Sequence, residues 1–377
     1  MSATAINPPS PSLSPEEQML LPGQSPAGEY ILAVLVKRTY QIRPGQSCVR
    51  LPIAAKLVKG DKFYGDPRIT PVQFETDLIP FKLATDVVVI GKAYAPGGQP
   101  AAELTCAVQA GRARKELVVT GERRCIFQNN AAPRFTEPAP FVQMPITYDR
   151  AYGGVDIRSE PGTSYPYPRN PLGRGFVVRN LRESVDGLVL PNVEDPLQRI
   201  TPAGIITGEY ARWEQQPMPQ GLGWYSKCFY PRALLAGVMP ADRPFEQMMR
   251  KEYEKAVPPE QLDLYRQTGL PDMDFRFFNG ASPGLVVPYL NGDEEIQLDR
   301  LTPEGRLSLR LSGDRPAIEI DIGFGPSKPQ VVMHTLTIRS DERQIDLVWR
   351  GSVPYPGPDW LPQMKKLDIH IASERGE

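Results

Sequence analysis

Proline and glycine interrupt this chain so often that long helices are disfavoured over most of its length. The 377 residues include 42 prolines and 32 glycines. Proline removes a backbone donor, and glycine costs conformational entropy inside regular elements. Between these breaks, apolar and polar residues alternate over short stretches such as residues 103–109 and 317–322. Because a period of two is typical of half-buried strands, the sequence predicts a mainly β fold with few short helices.

The order of these patterns predicts two antiparallel β modules, each a sandwich or barrel-like unit. Residues 1–27 are rich in proline and serine, and we expect a flexible segment or a strap on the surface. Residues 28–145 form a predicted N-terminal β domain, and residues 285–377 form a predicted C-terminal antiparallel β region. Between them, residues 146–284 are loop-rich, with one helix predicted near 243–257.

Charge and hydropathy argue against two classes of partner. The formal net charge is −1, whereas nucleic-acid and anionic-membrane binders carry clustered Lys and Arg. The longest apolar run, residues 30–36, is far shorter than the roughly 20 residues that span a bilayer. The first basic residue is Lys37, so the N-terminus lacks the charged start of a secretion signal. We therefore expect a cytoplasmic protein that binds neither nucleic acid nor membrane.

The residues that usually carry catalysis or metal binding are sparse. His334 and His370 are the only histidines, and each lies in an alternating strand pattern. The four cysteines form no Cys-x-x-Cys pair, so reduced and mostly buried thiols are expected at Cys48, Cys106, Cys125 and Cys228. The sequence also lacks a Gly-x-Ser-x-Gly elbow and a phosphate-binding glycine loop. We predict no metal, no cofactor and no enzymatic activity.

One segment, residues 148–176, differs from an ordinary connection and is called the signature loop below. Gly153-Gly154 permits unusual backbone angles, while Asn170-Pro171 and two Tyr-Pro pairs restrict the backbone. The loop also carries arginines and tyrosines, which are common at protein interfaces: Arg150, Arg169, Arg174, Tyr148, Tyr152, Tyr165 and Tyr167. Two interpretations stay open: a recognition surface, or a structural connection whose tyrosines pack on the core.

The candidate partner-binding residues come from this loop and from the aromatic patch that follows it. In the loop they are Arg150, Tyr152, Gly153, Gly154, Asp156, Asn170, Pro171, Gly173, Arg174 and Gly175. In the patch they are Trp213 and Trp224, and the patch is either a packing seam or an anchor for a partner. If the chain were a hydrolase, Asp149 and Asp156 would be the nominated acid and base; their alternative role is turn hydrogen bonding.

The motif combination resembles a known family. Arg150-Ala-Tyr-Gly-Gly-x-Asp156 is followed by Asn170-Pro-Leu-Gly-Arg-Gly-Phe176, and four later stretches fit the same pattern: residues 190–196, 277–279, 290–294 and 347–350. Over about residues 28–372 the chain is similar to the bacterial domain of unknown function 2169 family. The resemblance implies an adaptor chaperone of type VI secretion that binds a toxic effector and loads it onto the VgrG spike.

Three functional hypotheses follow. The first is the cytoplasmic adaptor, with a secreted effector and a VgrG-type spike protein as partners, bound through a sheet edge or the aromatic segment. The second is a hydrolase acting on a polymer such as glycan, for which the signature loop would have to line a cavity with two carboxylates about 5–10 Å apart. The third is a structural subunit of the secretion apparatus.

Overall fold

The structure, a computed structural model, describes residues 16–128, 132–178, 182–206, 215–237, 273–367 and 369–375. These residues fold mainly as β strands, which confirms the predicted class. Two predicted features, Trp213 and the helix near 243–257, lie outside the described residues.

The described residues contain 25 strands in chain order. The first twelve are β1 (Glu17–Gln24), β2 (Tyr30–Gln41), β3 (Val49–Arg50), β4 (Lys62–Phe63), β5 (Val72–Phe74), β6 (Thr85–Ile90), β7 (Lys92–Tyr94), β8 (Glu103–Ala110), β9 (Ala113–Thr120), β10 (Cys125–Ile126), β11 (Arg134–Phe135) and β12 (Gln143–Pro145). The others are β13 (Tyr152–Gly153), β14 (Val155–Asp156), β15 (Tyr165–Pro166), β16 (Arg174–Gly175), β17 (Val193–Glu194), β18 (Val286–Val287), β19 (Glu295–Asp299), β20 (Arg306–Arg310), β21 (Asp314–Asp321), β22 (Pro326–Ser327), β23 (Val332–Arg339), β24 (Gln344–Pro354) and β25 (Ile369–Arg375).

Helical structure is limited to short pieces in the described part of the chain. The α helices are α1 (Arg182–Val185) and α2 (Pro202–Ile206). Short 3₁₀ segments cover Pro96–Gly98, Tyr148–Arg150, Arg232–Ala236, Phe275–Phe278 and Pro358–Lys366. None of the described helices has both the length and the apolar character that crossing a bilayer requires.

Two large sheets share one hydrophobic core. The seven-stranded sheet has the order β1-β2-β24-β23-β6-β18, with β3 also paired to β2. The five-stranded sheet has the order β17-β9-β8-β19-β20. Buried side chains of both sheets, including Val36 and Trp349 from the first and Leu117 and Ile296 from the second, belong to the same cluster. The two sheets therefore form one body, and apolar side chains that alternate along their strands point toward the shared core.

The sheets do not follow the predicted division of the chain into N-terminal and C-terminal modules. β2 pairs antiparallel with β24 along eleven residues, and β6 pairs with β23 in parallel, although these partners are far apart in sequence. Strands from 28–145 and from 285–377 thus complete the same sheets. The residues of β2 from Leu32 to Val36 are fully buried because they have neighbours on both sides.

The segment predicted as flexible or strap-like is ordered over its second half. Residues 17–24 form β1, the outermost strand of the seven-stranded sheet, in register with β2 from Glu17↔Lys37 to Gln24↔Tyr30. Leu20 packs against the core, and Pro22 is tolerated because an edge strand leaves one side unpaired. The composition of residues 1–27 as a whole concealed this short apolar stretch.

A lysine turned toward the interior gives the fold a pH-dependent weakness. Strand alternation places Lys115 on the inward face of β9, where its Nζ donates to the carbonyl oxygen of Pro283 at 2.8 Å. Burial, partly opposed by Asp195, lowers the pKa of Lys115 to about 7. The unfolded chain keeps this proton up to its ordinary pKa near 10.5. The buried lysine therefore lowers the free energy of unfolding by its full amount below pH 7, and this penalty falls to zero as the pH rises from 7 to 10.5.

We expect Lys115→Met to raise the free energy of unfolding at pH 6 by about 3 kcal/mol, given about 1.4 kcal/mol per pKa unit less the lost hydrogen bond. The gain should shrink as the pH rises from 7 to 10, and urea titrations of both proteins across this range measure it. Lys59→Met, at an exposed lysine, is the control and should show no such trend. A gain that stays constant with pH would contradict the burial of a neutral lysine.

Candidate functional site

The signature loop folds into two small strand pairs. β13 pairs in parallel with β16, which matches Tyr152 with Arg174 and Gly153 with Gly175. β14 pairs antiparallel with β15, which matches Val155 with Pro166. The start and the end of the loop are thereby joined to each other, and the intervening chain is an ordered unit.

Asn170 is the central link of this unit. Its side chain is fully buried, and Nδ2 donates to the carbonyl oxygens of Tyr148 at 2.7 Å and Tyr152 at 3.0 Å. Its own carbonyl oxygen accepts from the N–H of Gly154 at 2.8 Å. Pro171 follows in the turn and is half-buried. One amide side chain therefore holds the loop closed.

Two glycines in the loop are required by space, and one of them, Gly153, also by its backbone angle. Gly153 has φ +145°, and a Cβ at this position would lie 2.1 Å from the Asn170 carbonyl oxygen. At Gly173 a Cβ would lie 2.5 Å from Asn170 Nδ2 and 2.6 Å from the Ala151 carbonyl oxygen. Gly154 and Gly175 are also buried. These glycines allow the closure around Asn170, which is an architectural role.

The two candidate arginines point to the same acceptors. Arg150 Nη1 lies 3.0 Å from Glu122 Oε1 and 3.2 Å from Asn192 Oδ1. Arg174 Nη1 lies 3.2 Å from both of these oxygens, and its Nε donates to the Asp149 carbonyl oxygen at 3.0 Å. Both guanidinium groups are therefore engaged within the chain and tie the loop to its neighbours.

Glu122 and Asn192 complete this arrangement, although neither is among the candidate residues from the sequence. Asn192 is fully buried, and its Nδ2 donates to the Thr120 carbonyl oxygen at 2.9 Å. It lies in the motif at residues 190–196, which was available as a signal. Glu122 had no signal, because an exposed glutamate 28 positions before Arg150 has no local pattern to mark it.

Asp156 acts as a hydrogen-bond acceptor for the backbone. The residue is 3% exposed, and its carboxylate accepts from the N–H groups of Arg158 at 2.8 Å, Ser159 at 3.1 Å and Val178 at 2.8 Å. Asp156 therefore has the turn hydrogen bonding that was the alternative to a catalytic role. Asp156 does not line the cavity that Asp149 lines, so the structure does not bring the nominated pair to a common cavity.

The tyrosines of the loop pack inward. Tyr148, Tyr152 and Tyr167 are at most 4% exposed. Tyr152 and Tyr167 are in edge contact at 5.3 Å between ring centroids, and their hydroxyls donate to Gln216 Oε1 at 2.9 Å and the Pro217 carbonyl oxygen at 3.0 Å. Burial raises the pKa of Tyr167 to about 12. The hydroxyls therefore stay protonated and serve as structural donors.

The described part of the aromatic patch is a packing seam. Trp224, Tyr225 and Phe229 are each at most 4% exposed. The Lys82 ammonium lies 5.2 Å from the Trp224 ring centroid, and Tyr225 contacts the ring of Tyr148 at 5.4 Å. The seam joins the patch to the beginning of the signature loop. Trp213 is outside the described residues.

The outward side of the loop carries apolar residues that the sequence analysis did not select. Val155 is 46% exposed and Ile157 is 68% exposed, on either side of the buried Asp156. The alternation Val155-Asp156-Ile157 was a usable signal, because the buried aspartate places both neighbours outward. The solvent-facing surface of the loop is therefore apolar at this point, next to the buried carboxylate of Asp156.

A groove of about 450 Å³ lies beside the loop. One wall comes from residues 145–150, and the others come from residues 64–73, 90–92 and 339–342. Tyr64 and Ile69 contribute apolar surface, and Asp149 faces the groove from the signature loop. Four distant segments meet here only because the sheets interlock. No group of three His, Cys, Asp or Glu side chains suited to a metal ion occurs among the described residues.

Other motif residues pack at buried junctions. Asn279 Nδ2 donates to the Ala84 carbonyl oxygen at 2.9 Å and lies 3.3 Å from Asp86 Oδ1. A Cβ at Gly292 would lie 2.8 Å from Cη2 of Trp349, which is fully buried. Asn279 and Gly292 therefore lie where distant segments of the chain meet.

The interlocked sheets and the glycine-dependent loop closed by Asn170 define a β-rich protein with an ordered, internally bonded surface loop. The chain belongs to the bacterial DUF2169 family, described as "Uncharacterized protein conserved in bacteria", whose model matches residues 27–350. This range contains the whole loop and every motif quoted above. A search of curated proteins and a search of solved structures returned no significant match.

Proposed function

We propose that this protein is a non-catalytic adaptor that binds a secreted toxic effector and loads it onto a VgrG-type spike of the type VI secretion apparatus. The motif resemblance supplies the partners. The contact is made by the outward side of the signature loop, where Val155 and Ile157 project from a backbone held rigid by Asn170. A rigid apolar projection suits protein recognition, since little conformational freedom is lost on binding.

The observation that carries the proposal is the difference between the two sides of the loop. Three polar residues singled out in the sequence are engaged internally: Asp156 with backbone N–H groups, and Arg150 and Arg174 with Glu122 and Asn192. Apolar surface is left outward at Val155 and Ile157. This division supports a binding role for the loop, in which Asp156, Arg150 and Arg174 maintain its shape.

The test is co-purification of a candidate secreted effector with the full-length adaptor. We expect the double substitution Val155→Ser with Ile157→Ser to weaken the complex by about tenfold to a hundredfold, because two partly exposed aliphatic side chains lose their burial against the partner. Titration calorimetry or surface plasmon resonance measures the affinity. Since both side chains face solvent in the free protein, its unfolding midpoint should change little.

Val142→Ser is the matched control, because Val142 is 45% exposed, close to the 46% of Val155, and lies outside the loop. It should leave the affinity unchanged. If the effector does not co-purify with the wild-type chain, the adaptor function is contradicted. If the double variant binds as tightly as the wild type, the contact lies on another surface.

A further inference from the structure

The groove beside the signature loop combines apolar surface with a carboxylate that has no partner among the described residues. Ile69 is 70% exposed and Tyr64 is 45% exposed, and both line the groove with Pro71 and Ile90. A volume of about 450 Å³ accommodates a few side chains of a protein segment. Exposed large apolar side chains gathered in one concavity are typical of an interaction site.

Asp149 is the charged group that distinguishes this groove. Its backbone carbonyl oxygen accepts from Arg174 Nε, but its carboxylate makes no hydrogen bond or ion pair with any described residue. The other two carboxylates of the groove are engaged: Asp341 accepts from the Tyr94 hydroxyl at 2.6 Å, and Glu342 pairs with Arg339. Asp149 is therefore the acceptor that is free for a cation.

The cations of the groove are also occupied. Arg150 is directed to Glu122 and Asn192, and Arg339 lies 2.9 Å from Asp346 Oδ2. Lys92 lies 3.9 Å from Asp341 Oδ2. Burial, followed by the negative charges of Asp149 and Asp341, raises the pKa of Tyr64 to about 12.

We propose that this groove binds an extended segment of a protein partner in which a lysine or arginine lies next to an apolar residue. The cationic head pairs with Asp149, and the neighbouring apolar side chain covers Ile69 and Tyr64. The proposal follows from charge complementarity at one unpaired carboxylate surrounded by apolar surface. It rests on the proposed function in taking the guest to be a protein, and it adds the chemistry of the segment that is recognised.

A random heptapeptide library displayed on phage and selected on the immobilised full-length chain tests this directly. We expect the enriched peptides to carry Lys or Arg beside an aliphatic or aromatic residue. The most enriched peptide is then synthesised with a fluorescent label, and its affinity is measured by anisotropy. Binding should weaken by about tenfold in Asp149→Asn, since one charge-assisted hydrogen bond is lost, and by a similar factor in Ile69→Ser.

Two matched controls separate the groove from surface effects in general. Asp359→Asn removes an exposed carboxylate elsewhere, and Ile53→Ser removes an isoleucine that is 47% exposed and lies outside the groove. Neither should alter peptide binding. The proposal is overturned if no peptide is enriched, if the enriched peptides lack basic residues, or if Asp149→Asn binds them as tightly as the wild type.

Failure of this inference is distinguishable from failure of the proposed function. Peptide selection uses the adaptor alone and needs no effector. If the effector is retained but peptide binding does not depend on Asp149, the groove inference fails and the adaptor function stands. If basic peptides bind through Asp149 but the effector is not retained, the groove is a site for a different protein.

Discussion

Replacing Asn170 by aspartate is expected to lower the free energy of unfolding by about 3–5 kcal/mol, among the largest effects in this protein. The amide Nδ2 donates to two buried carbonyl oxygens, those of Tyr148 and Tyr152. A carboxylate in its place has no donor and faces both oxygens at close range with no compensating cation. Equilibrium denaturation with urea, followed by tryptophan fluorescence, measures the loss.

The loss of stability in Asn170→Asp should also depend on pH. A protonated aspartic acid can donate one hydrogen bond to a carbonyl oxygen, so the deficit of Asn170→Asp relative to the wild type should shrink as the pH falls. Asn291→Asp is the control at an exposed asparagine from another family motif, and its stability should match that of the wild type. A loss below about 1 kcal/mol for Asn170→Asp would show that the loop is not closed through this amide.

Glu75→Gln is expected to cost about 3–5 kcal/mol, because it leaves the Arg232 guanidinium buried without a counter-charge. Both residues are 4% exposed, and Arg232 Nη2 lies 2.8 Å from Glu75 Oε2. Arg232 Nε also donates to the Phe277 carbonyl oxygen at 2.9 Å, so the pair joins two distant segments. Chemical denaturation of the variant and the wild type gives the difference.

The double substitution Glu75→Leu with Arg232→Met is expected to destabilise the protein less than Glu75→Gln alone, since it removes both charges and leaves none unpaired. Asp66→Asn provides the surface comparison: it breaks the ion pair with Arg68, whose side chain is 85% exposed, and should change stability little. Additive losses in the double variant would contradict strong coupling between Glu75 and Arg232.

The positions of the longer strands were accessible from sequence. The run from residue 31 to residue 42 falls on β2, which spans Tyr30–Gln41, and the alternation at residues 317–322 falls on β21, which ends at Asp321. In β21 the apolar side chains repeat every two residues, whereas the first half of β2 is an unbroken apolar run; both are local patterns typical of strands. The sequence of residues 86–94 resembles a single strand, but the structure divides this stretch into β6 and β7 at Gly91, where a Cβ would lie 2.0 Å from Ser340 Oγ.

The unusual composition of the signature loop was also evident from the sequence. The sequence did not show which of its side chains point inward and which face solvent. Asn170, Gly153 and Arg174 were selected for recognition, and the structure places them in the bonding that holds the loop together. Val155 and Ile157 were overlooked, although both face solvent. Interface-like composition does not distinguish a buried tyrosine from an exposed one, because both environments favour large rings with a polar end.

By itself the sequence determined the β-rich class, the main strands and the need for glycine in the loop, since these depend on backbone sterics and on apolar spacing within a few residues. Only the tertiary structure decided that β2 pairs with β24, that β6 pairs with β23, and that the groove at Asp149 gathers four distant segments. Local patterns fix which face of a strand is buried, but the choice of neighbour depends on the sum of many contacts between residues remote in the chain.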